Sequence, residues 1–253
     1  LEPSTDLGGG VFTSISAAVE AAQIAFEEFR ILGLEGRREV IDSIRQSMRK
    51  HAAELARLAH EETGLGRTED KVVKNLLVTD KTPGPEDLEP DATTGDQGMT
   101  VTEFAPFGVV AAITPTTNPT ATIINNSLAV VSAGNGLVFN AHPNGKAVSA
   151  LCVQLINRAI TDGGGPANLV TTIESPTIAS AQDLMRHHRV RLLMVTGGPG
   201  VVAEALATDK RAITAGPGTP PVVVDETADI DVAGREIVRG ASFDNNMVCT
   251  DEK

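Results

Sequence analysis

From Ser14 onward, Ile15, Val19, Ala22, Phe26 and Phe29 recur at three- and four-residue steps, which predicts a helix with one apolar stripe, capped at Thr13 or Ser14. A second, longer helix follows Gly33, with Ile41, Ile44, Met48, Leu55 and Ala59 on one side and Arg, Lys and Glu on the other; Gly64 ends it. Thr68 to Thr79 predicts a third, shorter helix on Val72, Val73, Leu76 and Leu77. The three carry no Gly-rich turn and no cluster of catalytic residue types. Their charges read as a solvated face, and the helices as packing and positioning structure. Residues 1–10 are Gly-rich and read as a mobile connection. Lys81 to Gly98, with its TPGPEDLEPD, reads as an irregular surface crossing, and Met99 to Phe104 as a strand at an edge or in an arm.

After Pro106 the pattern changes. Short apolar, β-branched runs alternate with helical stretches: GVVAAITP (108–115), helix 119–132, GLVFNAHP (136–143), helix 144–161, NLVTTI (168–173), helix 178–187, RLLMVTGG (191–198), helix 201–208, AIT (212–214) and PVVVD (221–225). A further helical run spans Asp229 to Gly240. Apolar strands alternating with helices, with Gly and polar residues at the strand C-terminal ends, predict an α/β fold: a doubly wound, Rossmann-like parallel sheet with N-terminal helices. The expected organisation is N-terminal helices and crossing segment over 1–98, a Rossmann-like cofactor-binding domain over 99–240, and the start of a catalytic domain over 241–253.

Composition narrows the function classes. The formal net charge of −12 repels a phosphate backbone, and no Trp or Tyr is present to stack on bases, which argues against nucleic acid. No apolar run approaches membrane-spanning length without interruption, and LEPSTDLGGG lacks the pattern of a signal peptide, so neither membrane insertion nor secretion is expected. Cys152 and Cys249 form no disulfide framework, which fits a reducing compartment and a cytoplasmic location. The five histidines match no zinc signature, and no metal site is assigned.

In a doubly wound sheet, ligands bind beyond the carboxyl ends of the strands, where helix N-termini point their N–H groups. That rule selects four loops: 114–119, 140–146, 196–200 and 215–221. No G-x-G-x-x-G with a downstream acidic residue occurs, and GGPG at 197–200 is a weak signal alone. Cys249 lies on a connection after a helical run, where a reactive thiol is expected, although most free cysteines are buried small hydrophobes. Cys152, among Leu151, Val153 and Leu155, reads as core.

Taken together, APFGVVAAITPTTNPT (105–120), NGLVFNAHPNGK (135–146), VTGGPGVV (195–202), AGPGTPPVVVDETADI (215–230) and SFDNNMVCT (242–250) resemble the aldehyde dehydrogenase superfamily, specifically its CoA-acylating propionaldehyde and acetaldehyde dehydrogenases. The order and spacing match from about Gly10 to Lys253. The resemblance implies that the Cys249 thiolate adds to an aldehyde to give a thiohemiacetal, which loses hydride to a nicotinamide cofactor and becomes a thioester. It implies that Asn118, with the Cys249 backbone N–H, stabilises the developing oxyanion. Asn118 is also placed to cap the helix that begins at Pro119. For cofactor binding, it implies Ile113, Thr114, Pro115 and Thr117 beside the nicotinamide half. Asn140, His142 and Pro143 would meet the adenine ribose, Thr196, Gly197 and Gly198 the pyrophosphate, and Ala215 and Gly216 the nicotinamide. His142 is equally well read as a plain turn residue.

The branch is set by an absence. AITAGPGTPP places Thr214 about where hydrolytic members keep a glutamate, and the loop has no carboxylate. The resemblance therefore implies NAD as cofactor, with NADP open, and coenzyme A as co-substrate. Asp225, Glu226 and Asp244 read as surface or helix-start charge. Family chains continue nearly as far again past the cysteine, so the expectation is the cofactor-binding half of a longer enzyme. Expected partners are a small aldehyde, CoA, further copies in a homo-oligomer, and a bacterial microcompartment shell. Two other readings stay open: a hydrolytic member, and a catalytically silent nucleotide-binding or assembly fragment.

Overall fold

The computed structural model describes residues 5–247. Five parallel strands form its centre: β5 (Val109–Ile113), β6 (Gly136–Asn140), β7 (Val170–Ile173), β8 (Val190–Thr196) and β9 (Arg211–Ala215). Two short strands, β1 (Asp6–Gly8) and β2 (Val11–Phe12), extend the sheet, β2 running parallel to β7. The order is β1-β2-β7-β6-β5-β8-β9. The chain thus steps outward from β5 through β6 to β7, then returns to lay β8 against the other side of β5. The reversal between β5 and β8 is the switch point at which such sheets open a crevice.

Helices cover both faces. α4 (Pro119–Ser132) and α5 (Lys146–Asp162) pack with α2 (Leu34–Thr63) over one face, where Val110, Ala112, Leu137 and Phe139 point. α1 (Ile15–Phe29), α6 (Ile178–Arg186) and α7 (Pro199–Leu206) cover the other, where Val109, Ala111, Ile113, Val138 and Leu193 point. Every residue of β5, β6 and β7 is buried, which is why these strands are β-branched or apolar runs without in–out alternation, the two buried threonines of β7 donating their hydroxyls to the Ala18 and Phe139 carbonyls. The predicted stripe of α1 is buried throughout, and Ser14 caps it by accepting from Ala17 N–H. Gly64 ends α2 in the left-handed conformation (φ +69°), as its position predicts.

Three expectations are corrected. The 81–98 passage is not wholly irregular: a 3₁₀ turn at Pro85–Asp87 leads to β3 (Asp91–Gly95), which pairs antiparallel with β4 (Gly98–Thr102) in an exposed hairpin. PVVVD (221–225) forms no strand. Val222, Val223 and Val224 are exposed, and no neighbouring strand among the described residues supplies a ladder to it. Strand propensity without a partner is not enough.

The third correction concerns α3 (Thr68–Lys81), which exists as predicted but faces the other way. Val73 and Leu77 are exposed, while Lys71, Lys74, Asn75 and Thr79 are buried. Asn75 explains part of this. Its Nδ2 donates to the Ala52 carbonyl on α2 at 3.1 Å, and its Oδ1 accepts from Thr120 on α4 at 2.9 Å. The two lysines explain the rest. After α8 (Ile230–Ser242), which Asp229 caps through Val232 N–H, the chain turns back onto α3.

Candidate active site

Beyond the carboxyl ends of β5, β6, β8 and β9 lies a groove of about 810 Å³, mostly apolar, with a few polar groups converging on it. Ile113, Thr114, Pro115, Thr117 and Asn118 line it from the β5–α4 connection, and Asn140, His142 and Pro143 from the end of β6. Thr196, Gly197 and Gly198 line it from the end of β8, and Gly216 from beyond β9. Ala215 is not on the wall; its carbonyl accepts from Gly197 N–H at 3.1 Å and so shapes the turn that is. Cys249 lies outside the described residues.

The groove is suited to an anion at one point. α5 begins beside it, but its first amides are taken: Glu62, reaching from α2, accepts from Ala147 N–H at 2.8 Å and Val148 N–H at 2.7 Å. α6 is closed by a capping box between Thr177 and Ser180. α7 starts at Gly198 with no side-chain cap, so its first-turn amides at Gly200 and Val201 face the groove without an intrahelical acceptor. Nothing lies within 4 Å of where a Cβ would stand on Gly198, Gly200 or Gly216, so a ligand can meet bare backbone there. The Thr114 and Thr116 hydroxyls are buried without hydrogen-bond partners. Bare backbone, free helix amides and apolar walls fit a dinucleotide.

Asn140 and His142 are partly committed elsewhere. Asn140 Oδ1 accepts from the Ser180 hydroxyl at 2.6 Å and its Nδ2 donates to the Thr177 carbonyl at 3.4 Å, which ties β6 to α6. His142 Nδ1 accepts from Asn144 N–H at 3.2 Å.

Asn118 stands at the N-cap of α4 without capping it through its side chain. Its Oδ1 instead accepts from Lys74 Nζ at 3.0 Å. The same ammonium donates to Asp244 Oδ2 at 2.7 Å and to the Met247 carbonyl at 2.6 Å. Lys71 Nζ donates to the Thr117 carbonyl at 3.0 Å and to Asp244 Oδ2 at 3.2 Å. Asp244 Oδ1 accepts from Arg67 N–H at 2.6 Å, and Asp244 N–H donates to Asp70 Oδ2 at 2.8 Å. Asp244 is therefore not surface charge: it is 0% exposed, and the lysines that meet it are 3% and 5% exposed. It also begins three successive left-handed residues, Asp244, Asn245 and Asn246, a conformation that Asp and Asn tolerate better than most residues.

Reading the sequence alone misses Lys71, Lys74 and Asp244 because isolated charges on a helix are usually solvated. The available signal is that Lys71, Lys74, Asn75 and Thr79 form a polar stripe at helical spacing. Cys152, by contrast, is core as expected: it is fully buried, and desolvation pushes its thiol far above the usual range.

Residues 10–253 match the aldehyde dehydrogenase family. The chain belongs to that family. It is 50% identical over 245 residues to the acetylating acetaldehyde dehydrogenase of Escherichia coli strain K12, covering 96% of this chain and 52% of the relative. A crystal structure of Rhodopseudomonas palustris propionaldehyde dehydrogenase, with bound CoA and an acylated cysteine, superposes with a TM-score of 0.94 at 47% identity, covering 98% of this chain and 57% of that one. The propionaldehyde dehydrogenase of a Clostridium phytofermentans fucose-utilisation microcompartment gives 0.93 at 46% identity, covering 96% and 56%. This aldehyde dehydrogenase chain thus spans about half the length of the relatives it matches.

Proposed function

We propose that this chain carries the cofactor-binding and nucleophile-bearing part of a CoA-acylating aldehyde dehydrogenase, which converts a small aldehyde, CoA and NAD to acyl-CoA and NADH. The observation that carries the reading is Asn118. It stands on the wall of the groove with its carboxamide oxygen already bonded, leaving its N–H groups to donate. The relatives, an acetylating dehydrogenase and one holding CoA beside an acylated cysteine, supply the reaction class.

In this reading Cys249 adds as thiolate to the aldehyde carbon, and the charge that moves to oxygen meets the Asn118 Nδ2–H. The first-turn amides of α7 would hold a pyrophosphate, and the β5–α4 connection would flank a nicotinamide. Bound NAD supplies the hydride acceptor that turns the adduct into a thioester. The groove wall offers water little help: its one carboxylate among the described residues is Glu204, which is engaged by Arg186. A CoA thiol is then the better acyl acceptor. No Lys or Arg is on the described wall to receive a ribose 2′-phosphate, which favours NAD over NADP.

Residues 99–240 serve as the cofactor-binding unit, flanked by 1–98 and by 241–253 opening the catalytic part. The exposed β3–β4 hairpin is too small to stand alone and suits an arm docked on another copy in a homo-oligomer. The similarity to a microcompartment enzyme favours a cytoplasmic protein housed in such a compartment. Among the described residues no helix is long and apolar enough to cross a membrane.

The test is to give the complete protein propionaldehyde, NAD and CoA and to follow NADH and acyl-CoA together. CoA-dependent acyl-CoA formation, abolished in Cys249→Ala, is expected. NADH formation that ignores CoA and releases free acid would overturn the acylating assignment, and turnover surviving in Cys249→Ala would overturn the nucleophile.

A further inference from the structure

Nothing in the proposed chemistry requires a buried ammonium behind Asn118, yet the structure has one. A carboxamide can face either way in a pocket that does not distinguish O from N. An ammonium has only donors, so the atom that meets Lys74 Nζ at 3.0 Å must be Oδ1. That contact fixes which end of the amide faces inward and leaves Nδ2 for the groove, where no described residue accepts from it. The same Nζ holds the Met247 carbonyl at 2.6 Å, two residues before the cysteine, and Asp244 Oδ2 at 2.7 Å. One cation thereby joins the wall that carries Asn118 to the segment that leads to the nucleophile. A cation on Oδ1 also polarises the amide and strengthens its N–H groups as donors.

We infer that Lys74 is a positioning residue for the oxyanion-binding amide, holding Asn118 Oδ1 inward and Nδ2 outward while tying Met247 to the same point. The inference rests on the reading in which Asn118 stabilises the oxyanion. Lys71 does not share the role: it reaches Thr117 and Asp244 but makes no bond to the Asn118 side chain. Its presence makes the test practicable, because Lys74→Met leaves Asp244 paired with Lys71 and not alone.

The experiment is a double-mutant cycle in the complete protein, with CoA-dependent NADH formation as the rate and NAD binding by fluorescence titration as the check on fold. Asn118→Ala is expected to lower kcat by about 10²–10³-fold, as loss of one oxyanion donor does. Lys74→Met is expected to lower kcat by roughly 10–100-fold with NAD affinity held within about twofold, since misplacing a reacting group costs rate and not cofactor binding. In the Asn118→Ala background, Lys74→Met should then cost less than about threefold, because the group it positions is gone. Lys74→Gln, which keeps an N–H for Oδ1, should recover part of the loss. A full Lys74→Met loss carried into the Asn118→Ala background, or Lys74→Met turning over at the wild-type rate, overturns the inference and leaves the function intact. Wild-type kcat in Asn118→Ala would overturn both. Should Lys74→Met not fold, Lys74→Ala, which removes the donor but leaves room for water to reach Asp244, carries the same cycle, with the same non-additivity required.

Discussion

The Cβ that Gly66 lacks would lie 2.0 Å from Asp244 Oδ1. Gly66 also has a φ of +70°, in the left-handed region. Both facts reserve the position for glycine: the carboxylate needs the space to reach Arg67 N–H, and the backbone needs the conformation. Gly66→Ala should therefore push Asp244 off α3. The strain and the disturbed buried ion pairs together are expected to cost about 2–4 kcal/mol. That corresponds to a Tm roughly 5–15 °C lower by calorimetry. NADH formation should fall with it, and an unchanged Tm would mean that Asp244 is not held as described.

Glu62 joins α2 to the first turn of α5 through two backbone N–H bonds. A carboxylate there satisfies two orphan donors and sits at the positive end of the helix dipole. Glu62→Ala is expected to cost about 1–2 kcal/mol, and Glu62→Gln, which keeps one acceptor oxygen, about half as much. Urea titration of the three proteins measures both, and equal midpoints would rule the cap out.

The two cysteines should separate by reactivity. Cys152 is enclosed among α5 and its neighbours and its thiol is held neutral well above the usual range. It should react with iodoacetamide at neutral pH no faster than the protein unfolds. Any fast native-state alkylation should be lost in Cys249→Ala and retained in Cys152→Ala. Fast modification of Cys152 in the folded protein would contradict the enclosure.

His187 stacks on His188 with ring centroids 4.7 Å apart. Burial first, then His188, Lys210 and Arg189, lower its pKa below the usual histidine value, while Glu20 acts against them. A histidine whose folded pKa is depressed contributes stability that is present above its unfolded pKa and lost as pH falls through the folded one. Stability should therefore decline as pH falls below the usual histidine value of about 6.5, and His187→Asn should flatten that decline. Tm measured as pH falls decides it, and a parallel slope in the variant would assign the decline elsewhere.

The sheet was readable because burial on both sides leaves its mark locally: β5 is apolar at every step, β6 up to Asn140 at its end, and β7 is short and β-branched, Val-Thr-Thr-Ile. Gly, Asn and Thr at the strand ends marked the groove for the same reason, since those loops need small or hydrogen-bonding residues. What failed depended on distant partners. α3 shows Val72, Val73, Leu76 and Leu77, which invite burial, yet it buries Lys71 and Lys74, whose partner Asp244 lies far along the chain. PVVVD looks like a strand to any local rule, but a strand exists only where another offers a ladder. Ala215, expected beside the nicotinamide, shapes the Gly197 turn through its carbonyl.

The Lys74–Asp244 bond spans 170 residues of chain. Closing so long a loop is entropically unfavourable until the intervening helices and strands have assembled and shortened the distance. During synthesis both lysines on α3 emerge well before their carboxylate and stay hydrated until it arrives. The Asp244 turn therefore closes onto α3 only after the strands and helices between them have assembled, so the support behind Asn118 is completed on a groove wall that already stands.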